Sequence, residues 1–163
     1  CRQRGRKVIS VFHSNTDEAE KSSSRDFAVL KLTPEEWKDI AKISHLVMFN
    51  ETRDPEMNRV DFTLLYTKNN YPAAYLTFME LDSETAYWGH GGVFPNIAKT
   101  FEVLKVYNTA IEYSKQKYKR VFTYIKNDNR SMLKMALHVG FKIIGIKFFK
   151  NEVYLQHILE LGE

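Results

Sequence analysis

The residue best suited to move a proton near neutral pH is His90, set between Gly89 and Gly91. Imidazole titrates close to neutrality, so it can take a proton from a nucleophile and hold it. The flanking glycines let another molecule come close to the backbone there. A histidine hydrogen-bonded for purely structural ends is the competing reading. Glu80 and Glu84 are nearby carboxylates that can act through a water molecule. Tyr87, Trp88 and Tyr124 read as packing residues. Other chemistries lack their residues. The five histidines (His13, His45, His90, His138, His157) show no ligand pairing at helix or strand spacing, so no metal site is expected. The one cysteine, Cys1, excludes a disulfide framework and a cysteine-zinc site. No glycine-rich phosphate or dinucleotide fingerprint is present.

Those side chains must be held by regular elements. Lys7–His13 reads as a short first strand, and the polar stretch 14–25 as a mobile loop. Asp26–Leu32 alternates as a strand. Thr33-Pro34-Glu35-Glu36 is a helix start: threonine caps, proline suits the first helical position, and Glu36 completes a capping box. Trp37, Ile40, Ala41, Val47 and Met48 then form an apolar stripe that reads as core. Three strand-like runs follow, Asp61–Thr67, Tyr71–Met79 and Glu84–Val93. Their short connections predict an antiparallel meander.

The pattern changes at Pro95-Asn96, which predicts a long helix to about Lys117. Arg120–Lys126 is apolar on both faces and so belongs in the middle of a sheet. Strand, helix, strand at this spacing predicts a parallel βαβ unit. A short helix over about Arg130–Val139 stops at Gly140. Phe141–Phe149 and Glu152–Leu159 then form a hairpin over Lys150-Asn151.

The 163 residues suit a single domain with its own core. The organisation expected is a basic arm, short strand and loop over 1–25, then one domain over 26–163. The apolar and charged fractions, 44% and 27%, exclude a disordered or fibrous chain. No apolar run is long enough for a membrane helix, and the basic start does not read as a signal peptide. A cytoplasmic protein is the expectation. The charge is uneven. Residues 97–150 carry 12 Lys+Arg against Glu102, Glu112 and Asp128. That half suits a polyanion, either a phosphorylated cofactor or a nucleic acid. A solvated lysine-rich helix face is the plainer account.

The segment from Val121 to Gly145 resembles the C-terminal motif of the GCN5-related N-acetyltransferase (GNAT) superfamily. The matching positions are Asn129, Ser131, Gly140-Phe141 and Gly145. Val93-Phe94-Pro95 is similar to the family's Val-x-Pro at the end of its fourth strand. The resemblance covers about 26–159. It implies an α+β fold: a mixed, mostly antiparallel sheet of six to seven strands with helices on both faces. It also implies a donor slot where Glu84–Val93 and Arg120–Lys126, two parallel strands, splay apart. Backbone groups left there need partners. In the family the pantetheine arm of acyl-CoA supplies them, like an added strand, and the pyrophosphate sits at the next helix N-terminus. Here that stretch is Asn96–Thr100. The resemblance thus assigns Val93, Lys99, Thr100, Asn129 and Arg130 to acetyl-CoA, and His90, Glu84 and Ser131 to catalysis.

Two departures stand out. The family's pyrophosphate loop is rich in glycine and carries Arg or Gln. Here Ile97-Ala-Lys-Thr-Phe-Glu has neither glycine nor arginine, and Glu102 would repel a phosphate. The family's general-acid tyrosine is replaced by Ala136, leaving Ser131 as the nearest hydroxyl. The leading expectation is N-acyl transfer from acyl-CoA to an amine. The alternatives are a GNAT-fold enzyme modifying nucleic acid with another donor, as in phage Mom-type DNA modification, and a non-catalytic binding protein. Arg2, Arg4, Arg6 and Lys7 motivate the nucleic-acid reading. The oligomeric state is open.

Overall fold

The computed structural model describes residues 27–49, 59–98, 100 and 102–162. The basic arm, the Lys7–His13 strand and the 14–25 loop lie outside the described residues.

The chain runs β1 (Phe27–Leu32), α1 (Pro34–Phe49), β2 (Phe62–Lys68), β3 (Tyr71–Glu80), β4 (Thr85–Val93), α2 (Glu102–Lys115), β5 (Arg120–Lys126), α3 (Arg130–His138), β6 (Lys142–Phe149) and β7 (Glu152–Glu160). The strands form one sheet in the order β1-β2-β3-β4-β5-β7-β6. All neighbours are antiparallel except β4 and β5. That is the mixed sheet expected, at its seven-stranded limit.

Local chemistry sets the boundaries. At α1 the capping box forms: Thr33 N–H donates to Glu36 Oε2 at 2.8 Å, and Glu36 N–H donates to Thr33 Oγ1 at 3.3 Å. The β2–β3 and β6–β7 hairpins turn on pairs with positive φ, Asn69-Asn70 and Lys150-Asn151. Two successive left-handed residues match the twist of the strands they join. Gly140, at φ +104°, stops α3 in a conformation open to glycine.

Alternation puts neighbouring residues of a strand on opposite faces. Leu64 and Tyr66 accordingly pack with Val106, Ala110 and Ile111 of α2 and Ala136 of α3. Leu65 packs on the other face with Trp37, Ile40 and Ala41 of α1. Helices therefore cover both faces. Val47 departs from the expected stripe and is 49% exposed.

One helix boundary corrects the sequence reading. The long helix does not begin at Pro95-Asn96. Residues 95–98 form turns, with Ile97 and Ala98 N–H both donating to Phe94 O at 3.1 Å. Ile97 is fully buried and anchors this stretch in the core. The helix starts only at Glu102, whose N–H donates to Thr100 Oγ1 at 3.3 Å.

Candidate active site

β4 and β5 pair only along their first halves, Thr85–Trp88 against Arg120–Thr123. The last tie is Thr123 Oγ1, which donates to Trp88 O at 3.1 Å. Beyond it β4 continues to Val93 along β3, and β5 continues to Lys126 along β7. The two strands have parted.

The cause is local. Phe78 faces Trp88 and Leu76 faces Gly91, so Thr77 alone stands opposite Gly89 and His90. One extra residue makes a β-bulge, which bends the strand and raises its twist. Thr77 fastens the bulge. His90 N–H donates to Thr77 Oγ1 at 2.7 Å, and that hydroxyl donates to His90 O at 3.1 Å. Glycine is needed beside it, since a Cβ at Gly89 would stand 2.8 Å from Thr77 Oγ1.

The parting leaves a cleft of about 570 Å3. Its walls are 88–93 of β4 and 123–126 of β5. Val103, Val106, Tyr107 and Ala110 of α2 line it, as do Ser131, Met132 and Met135 of α3 and Asn129 just before it. Along 89–93 and 124–126 the cleft side of each strand has no strand partner among the described residues.

Four of the eight expected residues meet here. His90 is exposed and lines the cleft. Val93 ends β4 opposite Ala74 and lines it too. Asn129 lines it while capping α3, its Oδ1 accepting from Met132 N–H at 3.2 Å. Ser131 stands in the first turn of α3, exposed, on the lining.

Others do not. Glu84 lies at the opposite end of β4, where the strands are still paired, and forms an ion pair with Lys119 at 2.5 Å. Glu80 ends β3 and is held by Lys117 and by the Tyr118 hydroxyl at 2.6 Å. The Lys117 ammonium, then Tyr118, keep its carboxyl below the usual range. Neither carboxylate lines the cleft. Arg130 is exposed and outside the lining. Thr100 is committed to the chain, capping α2 and donating to Ile97 O at 2.6 Å. Lys99 lies outside the described residues. Glu102 is ion-paired with Lys68, which offsets the charge that would oppose a phosphate.

Sequence reasoning missed the side chains of α2 that line the cleft, Tyr107 among them. Burial pushes the Tyr107 phenol up to about 12, and its hydroxyl touches Met132 Sδ. The sequence reading of this helix singled out none of these positions. Lys126 was also missed. It lines the cleft and pairs with Glu152 at 2.6 Å, a hydrogen bond that raises its pKa and keeps it charged. No metal-binding group of histidine, cysteine and carboxylates occurs among the described residues.

No family model matches the sequence, and no curated protein sequence matches it. Solved structures do match. The ribosomal-protein-S18-alanine N-acetyltransferase of Escherichia coli superposes with a TM-score of 0.67 at 11% identity, over 84% of this chain and 95% of that one. A GNAT family acetyltransferase from Elizabethkingia anophelis with acetyl-CoA bound gives 0.62 at 15%, over 84% and 99%. The yncA protein of Salmonella typhimurium, with acetyl-CoA, gives 0.62 at 14%, over 85% and 95%. The chain has the GCN5-related N-acetyltransferase fold.

Proposed function

We propose that the protein is an N-acyltransferase that moves an acetyl group from acetyl-CoA to an amine by direct attack. The observation that carries this reading is the parting of β4 and β5 at the Thr77-fastened bulge. Among the described residues it leaves the cleft side of 91–93 unpaired with β5, a ready edge for the two amides of a pantetheine arm. The fold is shared with proteins crystallised with acetyl-CoA, which supports the same donor here.

The chain's residues then divide the work. Backbone N–H groups near Val93 polarise the thioester carbonyl, where negative charge develops. His90 takes the proton of the attacking amine, directly or through water. The amine nitrogen bonds to the acyl carbon and the carbon–sulfur bond breaks. The leaving sulfur receives a proton from the Ser131 hydroxyl or from solvent. Asn129 lines the donor side, and Lys68 removes the repulsion that Glu102 would otherwise exert. Glu84 has no part in this reading, since Lys119 holds it at the far end of β4.

Isothermal titration with acetyl-CoA tests it. Micromolar binding, with release of free thiol when a panel of amines is added, is the expected result. No binding at millimolar donor removes the reading.

A further inference from the structure

The parted strands have two faces, and different chemistry stands on each. Val103 and Tyr107 of α2 and Ser131 and Met132 of α3 line the cleft on one face. His90 springs from the other. Gly91 stands opposite Leu76, which packs with the α2 core. Residues opposite in a ladder share a face, and neighbours along a strand alternate. His90, one position before Gly91, therefore lies on the far face with Thr77. α1 packs on that face with Leu32, Leu65 and Tyr75, over β1 to β3.

Across β5, β7 and β6 the far face continues as rings and charges. Val121 and Ile125 belong to the α2–α3 core, so Tyr124 turns away from it. Tyr87 meets Tyr124 edge to face, with ring centres 5.9 Å apart. Tyr154 stands opposite both Lys126 and Lys147 in the ladder. Burial raises the Tyr87 phenol, and Tyr124 and Tyr154 raise it further. Three phenols thus gather beside the end of the cleft.

The charges there are not equivalent. Glu152 holds Lys126 at 2.6 Å and accepts from the Tyr154 hydroxyl at 2.9 Å. Lys147 pairs with no carboxylate among the described residues. Its Nζ lies 5.1 Å from the Tyr124 ring centre and 5.8 Å from that of Phe149. An ammonium resting on exposed rings is weakly held, and a carboxylate is the stronger partner. A polyamine would meet two ammonium groups and a carboxylate that already has its partners.

We propose that the acceptor binds on this far face and is an amine that also carries a carboxylate on a ring-bearing body, the class of the aromatic amino acids. Lys147 takes the carboxylate, Tyr87, Tyr124 and Tyr154 hold the ring, and the amine meets His90. This rests on the acyl-transfer reading and adds the acceptor class to it. Lys147 belongs to β6, but its ammonium reaches back over Tyr124 of β5, the strand next to β4. The remaining span suits a carboxylate only a few bonds from the amine.

Isothermal titration with N-acetylphenylalanine, the product of such an acceptor, reads this face without the donor. It should bind at least tenfold tighter than N-acetylphenethylamine, which has the same ring and no carboxylate. Lys147→Ala should bring the two affinities together by weakening the acid, with circular dichroism unchanged, and Lys147→Arg should restore the difference. With acetyl-CoA, phenylalanine should give a kcat/KM at least tenfold above phenethylamine, and Lys147→Ala should raise the KM for phenylalanine. Equal affinities, or no binding of either product, overturn the proposal. So does a carboxylate preference that survives in Lys147→Ala, since another group then holds the anion. A chain that binds acetyl-CoA but turns over phenethylamine in preference keeps the acyl-transfer reading and loses this one. A chain that distinguishes the two products yet binds no acetyl-CoA loses the acyl-transfer reading and keeps a carboxylate-selective face.

Discussion

His90 owes its position to backbone rather than to its own ring. Its N–H and C=O are both tied to the Thr77 hydroxyl, so the side chain starts from a fixed point on the cleft wall. Replacing it with alanine leaves those bonds intact. His90→Ala is therefore expected to lower kcat at least tenfold with an unchanged thermal midpoint and unchanged acetyl-CoA affinity. Unaltered kcat in a steady-state assay would retire it as the base. Asn129 serves two ends at once, and substitutions can separate them. Asn129→Ala removes the cap of α3 and should lower stability by about 1 kcal/mol. Asn129→Asp keeps a capping oxygen but adds negative charge beside the donor. It should retain stability and weaken acetyl-CoA binding several-fold, read by denaturation and titration side by side. Both residues, singled out in the sequence, His90 by its glycine neighbours and Asn129 by the motif around it, line the cleft, and these variants test the roles proposed for them. Glu84 lies away from the cleft, and the sequence did not show this because its partner, Lys119, lies 35 positions away and only the β4–β5 pairing brings them together.

The bulge in β4 is the element on which the cleft depends. Thr77→Val keeps shape but strips the hydroxyl that binds both main-chain groups of His90. A partly buried N–H left without that partner costs about 1 kcal/mol. A drop of that size in urea denaturation is expected, together with weaker acetyl-CoA binding as β4 straightens toward β5. Full stability in Thr77→Val would mean the bulge is set elsewhere. The other end of β3 carries a separate lock, Glu80 with Lys117 and Tyr118, which joins the meander to the α2–β5 turn. Glu80 has a lowered pKa in the folded protein. Its contribution to stability is thus present above the ordinary value of 4.5 and is lost as pH falls through the depressed one. Glu80→Gln should be less stable than the parent at neutral pH, and the gap should close in acid. A gap that stays constant across that range would show that ionisation plays no part. The start of α2 was misjudged for an identifiable reason. Pro95-Asn96 has the form of a helix start, but burial of Ile97 holds the chain in turns until Thr100 caps the helix instead.

For the protein as one body, the cleft is a seam. The β1–β4 meander and the β5–β7 group share only the short Thr85–Trp88 pairing at the level of the sheet. A donor lying between β4 and β5 would bridge the two. Acetyl-CoA at about a hundred times its Kd should then stabilise the fold by ~2.7 kcal/mol, visible as a rise in thermal midpoint. No shift at saturating donor would mean the two strand groups are not bridged. The cationic half is also less bare than its sequence suggests. Lys115, Lys117, Lys119 and Lys126 are paired with Glu112, Glu80, Glu84 and Glu152. Several of those carboxylates come from outside residues 97–150, so the charge excess of that half is partly cancelled once the chain folds. Among the described residues no helix is long and apolar enough to cross a membrane.

What could be read from the order of residues was local or periodic: strand alternation, the Thr33 capping box, the hairpin asparagines, the glycine stop at Gly140, and the motif that located Asn129 and Ser131. Each depends on neighbours within a few positions, so a linear text contains it. The bulge register at Thr77, the cancelling of Glu102 by Lys68, the capture of Glu84 by Lys119 and the meeting of Tyr124 with Lys147 depend on residues far apart in the chain. Such partners are chosen by packing of the whole sheet and its helices, and the energy that selects them exists only once those elements meet.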